Sequence, residues 1–184
     1  IPQKNPPYNL TCFQSADGDI FLSVSGGTAP YGFVWSNGSI TQNISGLVAS
    51  TYTVFITDAN GCSSNSNYTL TEPPQLIANA GTDFNVCGET TATMNANVPT
   101  YGIGSWSVQG GQGGISFNDS TSANTLVSNL PQGDNTFVWT VTDGVCLANS
   151  QVLVSVTSAI QAIAGIDRKV CDGEINLNAT RPQF

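Results

Sequence analysis

One strand-and-turn pattern occurs twice in this 184-residue chain and constrains its fold more than any other feature. The first copy, Leu47–Cys62, reads LVASTYTVFITDANGC, and the second, Leu130–Cys146, reads LPQGDNTFVWTVTDGVC. In both copies polar and apolar residues alternate, a turn rich in Asp, Asn or Gly follows, and a cysteine ends the segment. Alternation with a period of two indicates a half-buried β-strand, and the turn residues predict a reversal into a second strand. We therefore predict two β modules with matching ends.

A second repeat predicts that the modules form a tandem array. The segments Ala78–Cys87 and Ala162–Cys171 share the frame AxAGxDxxVC, offset by 84 residues. Self-similarity at a fixed period is the signature of repeated structural units. We predict one module over residues 1–73, a second over 74–158, and the incomplete start of a third over 159–184. The chain is expected to be a fragment of a longer array.

Short strand patterns separated by turn residues fill both modules, and no window has the 3.6-residue apolar period of a helix. The predicted strands are 8–14, 20–25, 32–36, 40–44, 52–57 and 64–71 in the first module, and 77–86, 91–96, 104–108, 115–118, 125–128, 136–142 and 147–157 in the second. Six or seven short strands and a cysteine pair per module are typical of an immunoglobulin-like sandwich. We predict an all-β fold of tandem sandwiches with Trp35, Trp106 and Trp139 in their cores.

The composition excludes several classes of function. Histidine is absent, so Ser-His-Asp catalysis, Cys-His catalysis and histidine-based zinc sites cannot be built. The chain has four basic and twelve acidic residues, with no basic residue between Lys4 and Arg168. A nucleic-acid surface needs clustered Lys and Arg, so that class is excluded. No apolar run is long enough to insert this segment into a membrane.

The cysteine spacing predicts two disulfides. Cys12 and Cys62 are 50 residues apart and Cys87 and Cys146 are 59 residues apart, so each pair spans most of one predicted module. We predict the bonds Cys12–Cys62 and Cys87–Cys146, one in each sandwich. Closing a loop of that length contributes roughly 4 kcal/mol in the chain-entropy model. Stable disulfides indicate an oxidising, extracellular setting. Cys171 is predicted to be unpaired, with its partner beyond Phe184.

Five short motifs in the first module resemble the SprB repeat of giant cell-surface adhesins of gliding bacteria. They are GGTAPY (26–31), FVWSNG (33–38), GL (46–47), TYTV (51–54) and TDANGC (57–62), in that order. The second module, and the start of the third, resemble the PKD- or Ig-like modules that accompany this repeat. The resemblance implies an extracellular, repetitive surface adhesin or filament exported by the type IX secretion system. It implies no catalytic residues and no cofactor.

Acidic turn residues are the candidates for a metal site. Calcium prefers six to eight oxygen ligands, which acidic loops and backbone carbonyls can supply together. The candidates are Asp17, Asp19, Glu72 and Asp83. The alternative is that these carboxylates cap turns by accepting hydrogen bonds from nearby backbone groups. No DxDxDG calcium loop occurs in the sequence.

One serine is a candidate for modification. The tripeptide Asp119-Ser120-Thr121 resembles the short D-S/T-x acceptor for O-glycosylation in the secretion context that the SprB resemblance implies. Ser120 is therefore the predicted glycosylation site.

Two functions remain open, and both are non-catalytic for this segment. The first is a structural and adhesive segment of a long extracellular surface adhesin or filament. Its partners would be a surface polysaccharide or neighbouring adhesin subunits. The alternative is a carbohydrate-binding module array of a secreted enzyme, with Tyr31, Tyr101 and Trp106 as a sugar-stacking platform if they face solvent. Low charge and little basic character suit a cell-surface location, because they limit nonspecific binding to anionic surfaces.

Overall fold

The computed structural model describes residue 4, residues 8–111 and residues 113–159. The predicted third segment, with Cys171, lies outside these residues except for Ala159. Among the described residues there is no helix long and apolar enough to cross a membrane.

The described residues are built from twelve β-strands and one 3-10 turn at Gln109–Gly111. The strands are β1 (Gly18–Ile20), β2 (Gly32–Trp35), β3 (Ile44–Leu47), β4 (Ser50–Thr57), β5 (Ser63–Leu70), β6 (Phe84–Cys87), β7 (Ala92–Thr93), β8 (Ile103–Val108), β9 (Ser116–Phe117), β10 (Leu126–Ser128), β11 (Gly133–Thr142) and β12 (Leu147–Thr157). The chain divides into two compact units, whose bounds differ from those of the two sandwiches described below. The first contains residues up to 78 with 98–104 and 140–149, and the second contains 79–97, 105–139 and the residues from 150 onward.

The first sandwich is formed by two small antiparallel sheets. β1 pairs with β3, and β4 lies between β2 and β5. The eight residues of β4 are in register with β5 from Ser50–Leu70 to Thr57–Ser63. The inner faces of the two sheets enclose one hydrophobic core, made of Leu10, Ile20, Leu22, Trp35, Ile44, Leu47, Tyr52, Val54 and Leu70.

The second sandwich has two larger sheets. One has the order β7-β10-β9, and the other has the order β6-β12-β11-β8. Its first strand, β6, runs parallel to its last strand, β12, with Phe84 opposite Val154 and Cys87 opposite Thr157. Along β11 buried and half-buried residues alternate, because successive side chains of a strand point to opposite faces. This alternation places Phe137 and Trp139 in the core with no exposed surface.

Both sandwiches share the immunoglobulin strand order, in which strands A, B, E and D form one sheet and C, F and G the other. β1, β2, β3, β4 and β5 occupy positions B, C, E, F and G of the first sandwich, and β7, β8, β10, β11 and β12 occupy the same positions of the second. β9 adds position D, and β6 is a first strand paired with strand G. The predicted all-β, immunoglobulin-like fold is confirmed.

The tryptophan prediction is also confirmed. Trp35 and Trp106 lie on the two C strands with 2% and 4% of their surface exposed. Trp139 lies on the second F strand, and its ring centroid is 5.1 Å from that of Trp106. Large rings between facing sheets remove the most apolar area from water per residue, so they dominate the stability of such small cores.

The corner before each F strand is fixed by a different polar group. In the first sandwich the Tyr52 hydroxyl donates to the Val48 carbonyl oxygen at 3.1 Å, which is the tyrosine corner of immunoglobulin-like folds. In the second sandwich Phe137 occupies the matching position and has no hydroxyl. There the buried Asn135 amide donates instead to the carbonyl oxygen of Pro131 at 3.0 Å. Each bond joins residues four apart and closes the same corner.

Several predicted strands differ from the structure. The predicted strands 20–25 and 40–44 overlap β1 and β3 at Ile20 and Ile44 alone, because the paired residues are Gly18–Ile20 and Ile44–Leu47. Residues 8–14 were expected to be a strand, but Ser15 N donates to the Cys12 carbonyl oxygen and Gln14 has a φ of 57°. These features make a turn, since a left-handed residue cannot continue a strand. The predicted strand 77–86 is limited to Phe84–Cys87, because only this part pairs with β12.

Candidate functional site

The turn between strands F and G has the same chemistry in both sandwiches. Asp58 Oδ1 accepts hydrogen bonds from the backbone N–H of Asn60 at 3.0 Å and of Cys62 at 2.8 Å. Asp143 Oδ1 accepts them from Val145 at 2.9 Å and from Cys146 at 2.7 Å. An aspartate that holds nearby backbone N–H groups fixes a turn, so each cysteine is presented at a defined place. This confirms that the two repeated segments are equivalent.

Backbone donors stabilise the charged form of the first of these aspartates. The pKa of Asp58 lies below its ordinary value because the N–H groups of Thr28 and Cys62 donate to its carboxylate. Thr28 N is 3.0 Å from Asp58 Oδ2, so this side chain also fixes the loop before β2.

A disulfide joins Cys12 to Cys146, and it lies within the first unit. The two Cα atoms are 5.8 Å apart and the cysteines are separated by 134 residues in sequence. The bond therefore joins the first segment of the first predicted module to the F–G turn of the second.

The predicted pairs Cys12–Cys62 and Cys87–Cys146 are wrong, and both fail for the same geometric reason. Cys62 directly precedes β5, whereas the Cys12 segment lies at the other end of that strand, where Leu10 N donates to Thr71 O at 3.1 Å. The eight residues of β5 separate the two positions by about 26 Å, at about 3.3 Å per residue.

The second predicted pair is separated by a longer strand. Cys146 directly precedes β12, and Cys87 is in register with Thr157, the last residue of β12. Eleven residues at about 3.3 Å put the two positions about 36 Å apart. A disulfide requires Cα atoms about 4.4–6.8 Å apart, so neither predicted bond can form without unfolding strand G.

Two cysteines remain unbonded among the described residues. Cys62 and Cys87 have free thiols, and both are exposed. The Cys87 sulfur lies 3.7 Å from the carbonyl oxygen of Ser158. Sequence reasoning identified all four cysteines as important but did not identify which pair is bonded.

Tyr101 supports the disulfide turn rather than a sugar platform. Burial and the neighbouring Asp143 carboxylate raise the pKa of Tyr101, and its hydroxyl is hydrogen-bonded to Asp143. Asp143 in turn holds the backbone of Cys146. Trp106, another residue of the predicted platform, is buried. The three predicted platform residues therefore do not form one exposed surface.

The calcium candidates each accept hydrogen bonds from the protein. Lys4 Nζ is 2.9 Å from the carboxylate of Asp19 and 4.0 Å from that of Asp17. Glu72 accepts from Gln14 N at 2.6 Å, and Asp83 accepts from Leu153 N at 2.8 Å. In the part of the chain that the structure describes, no group of three or more His, Cys, Asp or Glu residues could hold a metal ion. Calcium binding at these residues stays a prediction.

Asp17 organises the segment that carries Cys12. Burial on its own raises the pKa of Asp17, but hydrogen bonds from the Thr11 and Ser15 side chains outweigh it, so the pKa lies below the ordinary value. Ser15 Oγ lies 2.7 Å from Asp17 Oδ1 and 2.9 Å from the Cys12 carbonyl oxygen, so its one hydroxyl hydrogen lies between these two acceptors. This network fixes the turn at Cys12.

The predicted modification site lies on an exposed loop. The Asp119 carboxylate accepts from the hydroxyl of Thr121 at 2.7 Å and from its backbone N–H at 2.9 Å. These bonds hold the pKa of Asp119 below its ordinary value, and Ser120 is exposed. Glycosylation of Ser120 stays a prediction.

An open groove that the sequence analysis missed lies beside β5 in the first sandwich. It has a volume of about 350 Å³. Its lining combines apolar and polar side chains, including Leu22, Tyr31, Ile56, Asp58 and Tyr68. The Tyr31 hydroxyl donates to the Gly26 carbonyl oxygen at 2.7 Å and fixes that wall. Tyr31 is the one member of the predicted sugar platform that lines this groove.

The family comparison matches part of the first sandwich. Residues 5–40 match the family model described as the SprB repeat. The predicted resemblance to that repeat is confirmed over these residues. No curated protein matches the chain.

Several solved structures are similar to the chain at low sequence identity. The PKD domain from KIAA 1837 protein is 20% identical, with 54% of this chain and 99% of that chain covered and a TM-score of 0.40. The surface layer protein SbsC, domains 1–6, is 16% identical, with 72% and 21% covered and a TM-score of 0.36. Fibronectin(III)-like modules of CbhA from Clostridium thermocellum are 13% identical, with 84% and 93% covered and a TM-score of 0.38.

Proposed function

We propose that this chain is a non-catalytic structural segment that transmits tension along an extracellular surface adhesin or filament of the SprB-repeat type. The observation that carries the proposal is the Cys12–Cys146 disulfide, which closes a loop with a sequence separation of 134 residues. Tension applied to the backbone before Cys12 and after Cys146 crosses the covalent bond. Once the residues outside the loop are extended, this bond carries the force and the residues between the two cysteines are not stretched.

The cysteine chemistry supports an extracellular location. Disulfides persist in oxidising compartments and are rare in the cytosol. The match of residues 5–40 to the SprB repeat supports the same location. Export by a type IX system and participation in gliding belong to this proposal.

The chain's partners in this role are a surface polysaccharide or neighbouring adhesin subunits. The acidic surface supports binding to uncharged or basic groups, because the net charge of −8 repels other anions.

Single-molecule pulling tests this role. Handles at the two ends of the oxidised chain should extend only the residues outside the Cys12–Cys146 loop. Full extension of that loop without reductant would contradict the proposed force path. The expected lengths are derived in the Discussion.

A second candidate function is saccharide binding in the groove beside β5. Tyr31 and Tyr68 line this groove together with serines that offer hydroxyl groups. Aromatic rings stacked on sugars and hydroxyls that fix orientation are a frequent arrangement in small-ligand sites. This function would place the chain in a carbohydrate-binding module array.

Binding to a panel of insoluble polysaccharides separates the two candidates. If the groove binds saccharides, the chain should be retained on at least one polysaccharide. The substitution Tyr31→Ala should then lower the affinity by about tenfold, which corresponds to a loss of about 1.4 kcal/mol of binding free energy. Tyr101→Ala, outside the groove, is the control and should not change it. If the chain is retained on no polysaccharide, or if Tyr31→Ala does not change its retention, only the structural role is supported.

A further inference from the structure

The observed disulfide joins two structural positions that each sandwich of the chain contains. The first position, that of Cys12, is the opening segment of a sandwich beside the end of its own G strand, where Leu10 N donates to Thr71 O at 3.1 Å. The second position, that of Cys146, is the F–G turn, where Asp143 Oδ1 accepts from Cys146 N at 2.7 Å. The bond therefore connects an opening segment to the F–G turn of the following sandwich.

Cys87 occupies the opening-segment position of the second sandwich. It ends β6, which pairs with the end of strand G, and Gly88 N donates to Thr157 O at 2.9 Å. Gly88 follows Cys87 by one residue and Leu10 precedes Cys12 by two, but both hydrogen bonds join an opening segment to the end of its own strand G. The Cys87 thiol is exposed and unbonded in the part of the chain that the structure describes.

Cys62 occupies the F–G turn position of the first sandwich. Asp58 Oδ1 accepts from Cys62 N at 2.8 Å, as Asp143 does from Cys146 N. The Cys62 thiol is likewise exposed and unbonded within the described ranges. The cysteine that bonds Cys146 comes from the preceding sandwich, so the equivalent partner of Cys62 would come from a sandwich before the first.

We propose that Cys62 and Cys87 each supply one cysteine of a disulfide that repeats between successive modules. Cys62 bonds a sandwich that precedes the first, and Cys87 bonds a sandwich that follows the second. A second copy of this chain provides both partners: Cys87 of one copy bonds Cys62 of the next, head to tail. The inference rests on the proposed structural role and extends it to a continuous covalent line through successive modules.

The bond forms by thiol–disulfide exchange with a small disulfide such as oxidised glutathione. The Cys87 thiolate attacks one glutathione sulfur and releases one reduced glutathione. The Cys62 thiolate of the second copy then attacks the Cys87 sulfur of this mixed disulfide and releases the other. The two protons and two electrons lost by the protein thiols end on two molecules of reduced glutathione.

Two single-thiol chains test the proposal. The first chain carries Cys62→Ser and Cys171→Ser, so Cys87 is its only free thiol. The second chain carries Cys87→Ser and Cys171→Ser, so Cys62 is its only free thiol. Equal amounts are mixed in a glutathione redox buffer, and dimers are quantified by non-reducing electrophoresis and mass spectrometry. The chain lacking Cys62, Cys87 and Cys171 is the control and should form no covalent dimer. Mapping in each variant verifies that Cys12–Cys146 is retained.

The expected result is a Cys62–Cys87 heterodimer that exceeds either homodimer by about twentyfold, because a docking preference of about 1.4 kcal/mol multiplies the random ratio by about ten. Random collision gives only about twice as much heterodimer as either homodimer. Ratios near that value, or the absence of dimers, would overturn the proposal. These outcomes leave the pulling test of the proposed function unaffected, since that test depends only on Cys12–Cys146.

Discussion

Reduction of the Cys12–Cys146 disulfide is expected to release a long hidden length in a single step. The bond spans 134 residues, and each residue contributes at most about 3.3–3.6 Å when extended, so cleavage should add about 440–480 Å of contour. The 5.8 Å between the two Cα atoms is negligible beside this gain. In a force-clamp experiment the oxidised chain is first unfolded under tension, a thiol reductant is then added, and each cleavage is recorded as an extension step.

The step pattern distinguishes the possible connectivities. Bonds at Cys12–Cys62 and Cys87–Cys146, with separations of 50 and 59 residues, would give two steps of about 170–180 Å and about 200–210 Å. The double substitution Cys12→Ser/Cys146→Ser should show full extension without reductant and no later step. Two short steps in the unmodified chain, or no step at all, would refute the force path proposed for this segment.

Three further perturbations test the fold. Tyr52→Phe removes the hydrogen bond to Val48 and should lower the free energy of unfolding by about 0.5–1.5 kcal/mol, as measured by urea titration. The control Tyr68→Phe should change the free energy of unfolding little. Equal effects of the two substitutions would contradict the corner assignment. Phe137→Ala should cost about 3–5 kcal/mol, since the ring is fully buried, and a cost below about 1 kcal/mol would show that the core is not closed there. Asp58 has a lowered pKa, so its stabilising contribution is present above the ordinary value of 3.8 and is lost as the pH falls through the lowered value. The loss of stability on acidification should therefore be smaller in Asp58→Asn, and an unchanged acid profile would argue against that role.

The repeated strand and turn were predictable because they depend on local chemistry. Alternation over Tyr52–Thr57 and the aspartate that follows it are sufficient to define strand F and its turn, whatever surrounds them. The burial of Trp35 and Trp106 follows from the same alternation. The strand order of each sandwich agrees with the immunoglobulin-like order expected from six or seven short strands per module.

The disulfide was not predictable, because sequence spacing does not report which end of a strand a cysteine occupies. Four cysteines allow three pairings, and the pairing within each module looked favourable by loop length alone. Whether Cys62 can reach Cys12 depends on β5, an eight-residue strand that keeps them apart. That separation is a property of the folded sheet. The groove beside β5 is equally non-local, since Leu22, Tyr31 and Tyr68 come from separate parts of the chain.

The connectivity of the disulfide is the central claim, and peptide mapping of the oxidised chain tests it most directly. Cleavage before aspartates places each cysteine in its own peptide, with Cys12 in residues 1–16 and Cys146 in residues 143–166. With free thiols alkylated first and no reductant present, mass spectrometry should find these two peptides joined, and the peptides of Cys62 and Cys87 alkylated. Peptides of Cys12 joined to Cys62, and of Cys87 joined to Cys146, would contradict the account.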